Sequence, residues 1–303
     1  MKTAKNYISS QKSPNGPYLT FRKDPTSLYQ NSFLEDFLRS FSIDLAQDRD
    51  NDNFYNIVPD ESDLKKVLCF QDYHFLRYDL DKILSQIMYT LIFAGKAFVE
   101  IVISTDEEKN LVGISLVPFH PILSIRGFKN TYFVALLKNK KTKLFKIEKQ
   151  KLVSFRLSDL NYSHRYFRKL YRQLKRLDIL SVSDVTMSPG KTGFDFIVWN
   201  DKSEYKLLKT TKKIGWHGRI SGNKYMGDAY LLYRSAKFKL CRKQFLDYFL
   251  KKINQALQPI CRELNIQGHL VANTIDLDLD DIFQKLASAK LDYSQLRDII
   301  WRH

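Results

Sequence analysis

LDKILSQIMYTLIFAGKAFVEIVI, residues 80–103, decides the fold class. In its first half Leu80, Ile83, Leu84, Ile87, Met88 and Leu91 recur at spacings of three and four. That is the period of an α-helix with one apolar face. Gly95 suits the position just past a helix, where the chain often turns left-handed. From residue 97 the period changes. AFVEIVI alternates and is rich in β-branched residues, the pattern of a strand. A helix handing directly to a strand predicts an α+β unit.

Working downstream, 111–117 (LVGISLV), 131–137, 143–147 and 151–155 read as further short strands, with turns at 105–110 and 138–141. Together they predict a small, mostly antiparallel sheet. Residues 162–180 return to helical period. Phe167, Leu170, Tyr171, Leu174 and Leu177 share one face, and Arg165, Arg168, Lys169, Arg172, Lys175 and Arg176 share another. The spacing then predicts a strand over 194–199 and a lysine-rich, glycine-punctuated stretch to Gly227. A second long helix is expected over 229–257. Phe238, Cys241, Phe245, Tyr248, Phe249, Ile253 and Ala256 face inward in this reading, while Arg234, Lys237, Lys239, Arg242, Lys243, Lys251 and Lys252 lie on its other faces. Two short helices, 280–287 and 293–301, form the tail. Upstream, 1–30 reads as a mobile arm, 33–41 as a short helix and 44–56 as a polar loop.

The whole chain has 303 residues, with 49 Lys+Arg against 33 Asp+Glu, a formal charge of +16. At 44% hydrophobic residues it can bury a core, which excludes wholesale disorder. The stretch 83–99 is broken by Ser85, Gln86, Thr90 and Lys96, short of the ~20 mainly apolar residues of a spanning helix. No membrane partner is expected, and residues 1–12 carry no secretory h-region. Cys69, Cys241 and Cys261 are odd in number and far apart, which fits a reducing compartment. The charge is concentrated. Residues 161–260 hold 21 basic and 7 acidic side chains, whereas 61–160 hold 16 and 11 and the two ends, 1–60 and 261–303, are slightly acidic. A block of that kind points to a polyanionic partner or a strongly positive local surface.

Catalytic patterns do not assemble. Pro189-Gly190-Lys191-Thr192-Gly193 holds a GKT, but a P-loop needs a glycine at position 185, which is Val. A metal-dependent nuclease would want Asp60 followed by an acidic-x-Lys strand, and Glu100-Ile101-Val102 lacks the lysine. Glu100 is expected to face solvent or a neighbouring subunit's arginine. His74, His120, His164, His217, His269 and His303 show no paired spacing. The reading is of a protein that is not an enzyme, with no catalytic residue, no metal and no cofactor.

Residues 84–155 resemble the corresponding segment of tailed-bacteriophage portal (head-tail connector) proteins. The apolar helix ends in Gly95-Lys96-Ala97-Phe98, a strand follows in Val99-Glu100-Ile101-Val102, and Ile114-Ser115-Leu116-Val117-Pro118 forms a proline corner. Tyr132-Phe133-Val134 and 147–155 complete the series. Beyond it, 170–177 followed by 184–187 and 194–198 looks like a stem helix leading into a clip strand. Residues 235–257 look like the family's long Lys/Phe-rich helix. The resemblance covers about residues 65–260 and rests on spacing rather than on fixed chemistry.

What the resemblance implies is an α+β, portal-like fold with a small, mostly antiparallel wing sheet, long stem helices, a short clip and a helical C-terminal tail. Its divisions are 1–60, a partly disordered N-terminal arm; 61–160, a wing-like domain; 161–260, a basic stem and clip; and 261–303, a crown-like tail. It implies a homo-oligomeric ring, usually a dodecamer, at one capsid vertex. The ring would form the channel for DNA packaging and ejection and the docking site for terminase and tail. Its partners would be non-specific double-stranded DNA, the major capsid protein, the large terminase subunit and a head-tail adaptor. The location would be the virion, after assembly in the host cytoplasm. A channel needs weak phosphate contacts that permit sliding. Lys206, Lys209, Lys212, Lys213, Arg219 and Lys224, between the two long helices, are the DNA-binding candidates. Arg165, Arg168, Lys169 and Arg172 would pair with the next subunit, and Tyr166, Phe245 and Phe249 would supply apolar ring contacts. The alternative is a basic nucleic-acid-binding protein of a mobile element, such as a replication initiator or a defence-associated nuclease.

Overall fold

The computed structural model of the chain describes residues 28–38, 55–59, 61–68, 76–105, 111–119, 122–128, 131–138, 141–185, 196–218, 228–272 and 278–288, with 290, 292, 294 and 295. The fold is α+β. The helices are α1 (Leu28–Leu38), α2 (Asp63–Val67), α3 (Leu76–Ala94), α4 (His164–Val185), α5 (Phe196–Thr211), α6 (Asp228–Glu263) and α7 (Leu279–Ala287). The strands are β1 (Tyr55–Val58), β2 (Lys96–Thr105), β3 (Leu111–Phe119), β4 (Ile122–Phe128), β5 (Thr131–Lys138), β6 (Lys141–Glu148), β7 (Leu152–Arg156) and β8 (His269–Ala272). They form three antiparallel sheets, ordered β3-β2-β7, β4-β5-β6 and β1-β8.

The chain divides into two compact units. The first takes the described residues from 55 to 164 and from 246 to 272. Its centre is the α3–β2 step. Leu80, Leu84, Ile87, Met88 and Leu91 are all buried to 1% exposure or less. Gly95 follows α3 with φ +78°, and a Cβ there would stand 2.8 Å from the His164 Cβ. Only glycine meets both conditions without strain. His164 closes the same corner, its Nε2–H donating to the Phe93 carbonyl at 2.6 Å. Phe155 of β7 lies edge-on to Phe249 of α6, with ring centroids 5.4 Å apart. The β1-β8 pair joins residues distant in sequence, with Ile57 opposite Leu270. Asn254 takes the place of a further strand: its Nδ2 donates to the Leu270 carbonyl at 2.7 Å and its Oδ1 accepts the Leu270 N–H at 2.9 Å.

The second unit takes α1, 165–185, α5 with its closing turn, 228–245 and 278–295 as described. Phe37 of α1 is its hub. The ring centroids of Phe33, Phe167, Phe238 and Phe245 lie 5.4, 6.1, 5.6 and 5.4 Å from that of Phe37. Such tilted and edge-on contacts add to the burial of large apolar surface. Trp216 packs against Phe33 and donates its Nε1–H to the Asp36 carboxylate at 2.9 Å.

The α3–β2 step, β3, β5, β6, β7, α4, α6 and α7 follow the spacing of the sequence. Several other elements differ. The strand expected over 194–199 is helical from Phe196, because α5 runs to Thr211. FDFIVW is a short apolar run that periodicity alone cannot assign, and its downstream partners Leu207, Leu208 and Thr211 sit at helical spacing. This also removes the clip strand that the resemblance placed at 194–198. α1 starts at Leu28, inside the stretch read as an arm, and Gln30 is buried, donating to the Tyr171 carbonyl at 2.7 Å. Tyr55 and Asn56, read as loop, begin β1. β4 had no strand assigned to it. Arg234, read as outward, is 2% exposed, and Glu100, read as solvent- or subunit-facing, is 8% exposed. Tail residues 293–301 lie almost wholly outside the described residues.

Candidate nucleic-acid interface

α4 is amphipathic in a strict sense. Phe167, Leu170, Leu174 and Leu177 are buried, and Arg165, Arg168, Lys169, Arg172, Lys175 and Arg176 are exposed. From Arg165 to Arg176 the basic stripe is about 16 Å long at the helical rise. Among the described residues, Arg165, Arg168, Lys169, Arg172 and Arg176 make no ion pair or hydrogen bond through their side chains.

α5 carries a second stripe. Ser203, Leu207, Leu208 and Thr211 are buried, whereas Lys202, Tyr205, Lys206 and Lys209 are exposed at positions i, i+3, i+4 and i+7. Lys212 and Lys213 extend the face into the closing turn, where Ile214 and Gly215 both donate their N–H groups to the Thr211 carbonyl. Lys206 and Lys209 therefore lie on a helix rather than in a glycine-rich loop. Tyr205 is 58% exposed, and the Lys209 ammonium sits 6.0 Å from its ring centroid.

The end of the α5 face reaches α4 beside its basic stripe, at Tyr166, the neighbour of Arg165. The Lys213 ammonium lies 5.4 Å from the centroid of the Tyr166 ring, a cation–π geometry. Residues assigned by sequence to two roles, DNA contact and subunit contact, thus border one another. Burial pushes the Tyr166 hydroxyl well above the usual phenol range, so this ring stays neutral.

A buried polar network fixes α5 in place. Arg234 of α6 donates from Nη1 to the Leu208 carbonyl at 3.2 Å. Its Nη2 donates to Thr211 Oγ1 and to the Trp216 carbonyl, both at 2.7 Å. The guanidinium fork thus reads the C-terminal end of α5, where free carbonyls and the helix dipole favour a cation. Gly215, with φ +85°, makes this possible: a Cβ there would come within 2.5 Å of the Arg234 carbonyl oxygen. His217 Nε2 lies 2.8 Å from Ser235 Oγ, and burial together with the Arg234 charge holds its pKa below the ordinary 6.5.

Phe245 and Phe249 are both 0% exposed. Each is consumed by the packing of its own unit, which leaves no surface for a neighbouring subunit. Arg219 and Lys224 lie outside the described residues, as do Asp60, Cys69, His120 and the GKT turn. Lys202 and Tyr205 were not singled out by sequence. Their signal, the i, i+3, i+4, i+7 spacing with Lys206 and Lys209, is legible only once 196–211 is known to be helical. Among the described residues no group of three His, Cys, Asp or Glu could hold a metal ion, and no helix is long and apolar enough to cross a membrane. A comparison with models of protein families returns no match, and a comparison with curated proteins returns none.

Proposed function

We propose that the chain is the subunit of a portal-like ring at a phage capsid vertex, and that the joined basic faces of α4 and α5 hold the DNA passing through it. One observation carries this reading: two helices of one unit each expose a basic stripe opposite a buried face, and Lys213 at the end of one packs on the Tyr166 ring of the other. Flexible cations on rigid helices contact phosphates without reading bases, which allows sliding. On this proposal Arg165, Arg168, Lys169 and Arg172 join Lys206, Lys209, Lys212 and Lys213 in one DNA-facing surface. Capsid protein, terminase and adaptor would dock elsewhere on the ring. Negative-stain electron microscopy of the purified chain tests it. Rings with a central hole are expected, and particles that stay monomeric at micromolar concentration overturn it.

A second reading is favoured by Tyr205. An exposed ring among lysines is the element that stacks unpaired bases. This is the basic nucleic-acid-binding protein of a mobile element, acting without a ring. Tighter binding of single-stranded than of duplex DNA, abolished by Tyr205→Ala, would select it.

A further inference from the structure

The β2–β7 end of the first unit carries an unusual pair. Lys96 and Arg156 are register partners on adjacent antiparallel strands, so their side chains rise from the same face. Leu157 donates its N–H to the Gly95 carbonyl at 3.1 Å, whereas the Arg156 N–H turns the other way, to Tyr248 Oη at 2.9 Å. Lys96 and Arg156 therefore form a non-hydrogen-bonded pair, the kind in which the two Cα atoms come closest, at about 4.5 Å. Like charges directly opposite one another destabilise a sheet. Neither side chain is ion-paired among the described residues.

Both line an open pocket of about 530 Å³. That lies within the usual range for small-molecule sites, roughly 300–1,000 Å³. The other polar walls are Ser154, Ser158, Tyr162, Ser163 and His164, and the apolar ones include Phe98 and Leu152. No carboxylate lines the pocket. The acid nearest in sequence, Asp159, is held by Tyr248 Oη at 2.7 Å and by the Lys252 ammonium at 3.6 Å, and Ser158 Oγ lies 3.3 Å from its other oxygen. Register places Ser154 opposite Phe98 on the Lys96 face, one step along the strand from the two cations.

We propose that this pocket binds a phosphate monoester whose remaining part is flat or apolar, a nucleoside monophosphate being the class that fits. The phosphate sits between Lys96 and Arg156, where its charge turns their repulsion into attraction. Ser154 is placed to donate to a phosphate oxygen. Phe98 and Leu152 offer the surface against which the base or other apolar group lies. The site lies in the first unit, and none of the basic residues of the α4 and α5 stripes lines it.

Calorimetric titration of the full chain with AMP, inorganic phosphate and adenosine tests this. AMP is expected to saturate one site per chain, inorganic phosphate to bind the same site more weakly, and adenosine not to bind. Lys96→Gln/Arg156→Gln should weaken AMP at least tenfold, as loss of charge-assisted hydrogen bonds does. Both side chains are exposed and repel one another, so a melting temperature equal to or slightly above the parent's will certify the fold. Phe98→Ala should weaken AMP but leave inorganic phosphate unchanged. Arg168→Gln/Arg172→Gln should leave AMP affinity unchanged. The proposal is overturned by equal AMP affinity in the Lys96/Arg156 variant and the parent, or by an affinity loss that follows the Arg168/Arg172 variant instead.

Discussion

At the scale of single residues, Arg234 ties α6 to the end of α5 and to the Trp216 carbonyl. It is buried against neutral groups, two carbonyls and the Thr211 hydroxyl, with the Tyr230 side chain as a further partner. Arg234→Met should destabilise the second unit by about 2–4 kcal/mol, because the acceptors are left without donors in a dry site. Arg234→Lys should rescue little of this, since one ammonium cannot span three acceptors arranged for a planar fork. Urea unfolding of the three proteins measures both. His217 gives a pH dependence of known sign. Its folded pKa lies below the ordinary 6.5, so between the two values the unfolded chain binds a proton that the folded chain refuses. Its contribution to stability is therefore complete above pH 6.5 and falls as the pH drops toward the folded pKa. In His217→Gln the unfolding midpoint should lose less between pH 7.5 and pH 5 than in the parent. None of this was legible beforehand. Arg234 looked like one more cation on a basic helix, because helical spacing gives a direction but not the identity of what packs there.

At the scale of elements, α4 is the clearest case of agreement between pattern and packing. Its apolar stripe is buried and its basic stripe exposed, residue for residue, apart from Tyr171, which is half-buried. Phe167→Ala should cost about 3–5 kcal/mol, because it empties space beside Phe37 and Phe245. Arg168→Ala, on the opposite side, should stay within about 0.5 kcal/mol. Thermal melts of both variants check the contrast. α5 shows where pattern fails. Its start, Phe196-Ile197-Val198-Trp199, is β-rich by composition, and tertiary context overrides that preference. Once the segment is helical, Lys202, Lys206 and Lys209 become one face, and the aromatic ring that punctuates it becomes visible. The candidate surface was thus half legible: the stripe of α4 stood in the spacing, and that of α5 did not.

At the scale of the whole molecule, charge is the property to test. The stripes of α4 and α5 belong to one unit, and that unit holds most of the excess charge that residues 161–260 concentrate. If they form one phosphate-binding surface, log K for duplex DNA should fall linearly with log salt. Arg168→Gln/Arg172→Gln and Lys206→Gln/Lys209→Gln should each lower that slope by roughly two. Fluorescence anisotropy across a salt series reads the slope, and a variant with the parent's slope removes its helix from the surface. The sequence by itself determined the α+β class, the α3–Gly95–β2 step, the antiparallel hairpins and the two long amphipathic helices. These depend on local periodicity and on one backbone position that only glycine tolerates. Tertiary structure alone decided that α5 is a helix, that Arg234 and Glu100 are buried, that Phe245 and Phe249 serve the core, and that Lys96 stands opposite Arg156. Each of these depends on which distant residues supply the packing, the acceptors or the register, and such contacts leave no period in the chain.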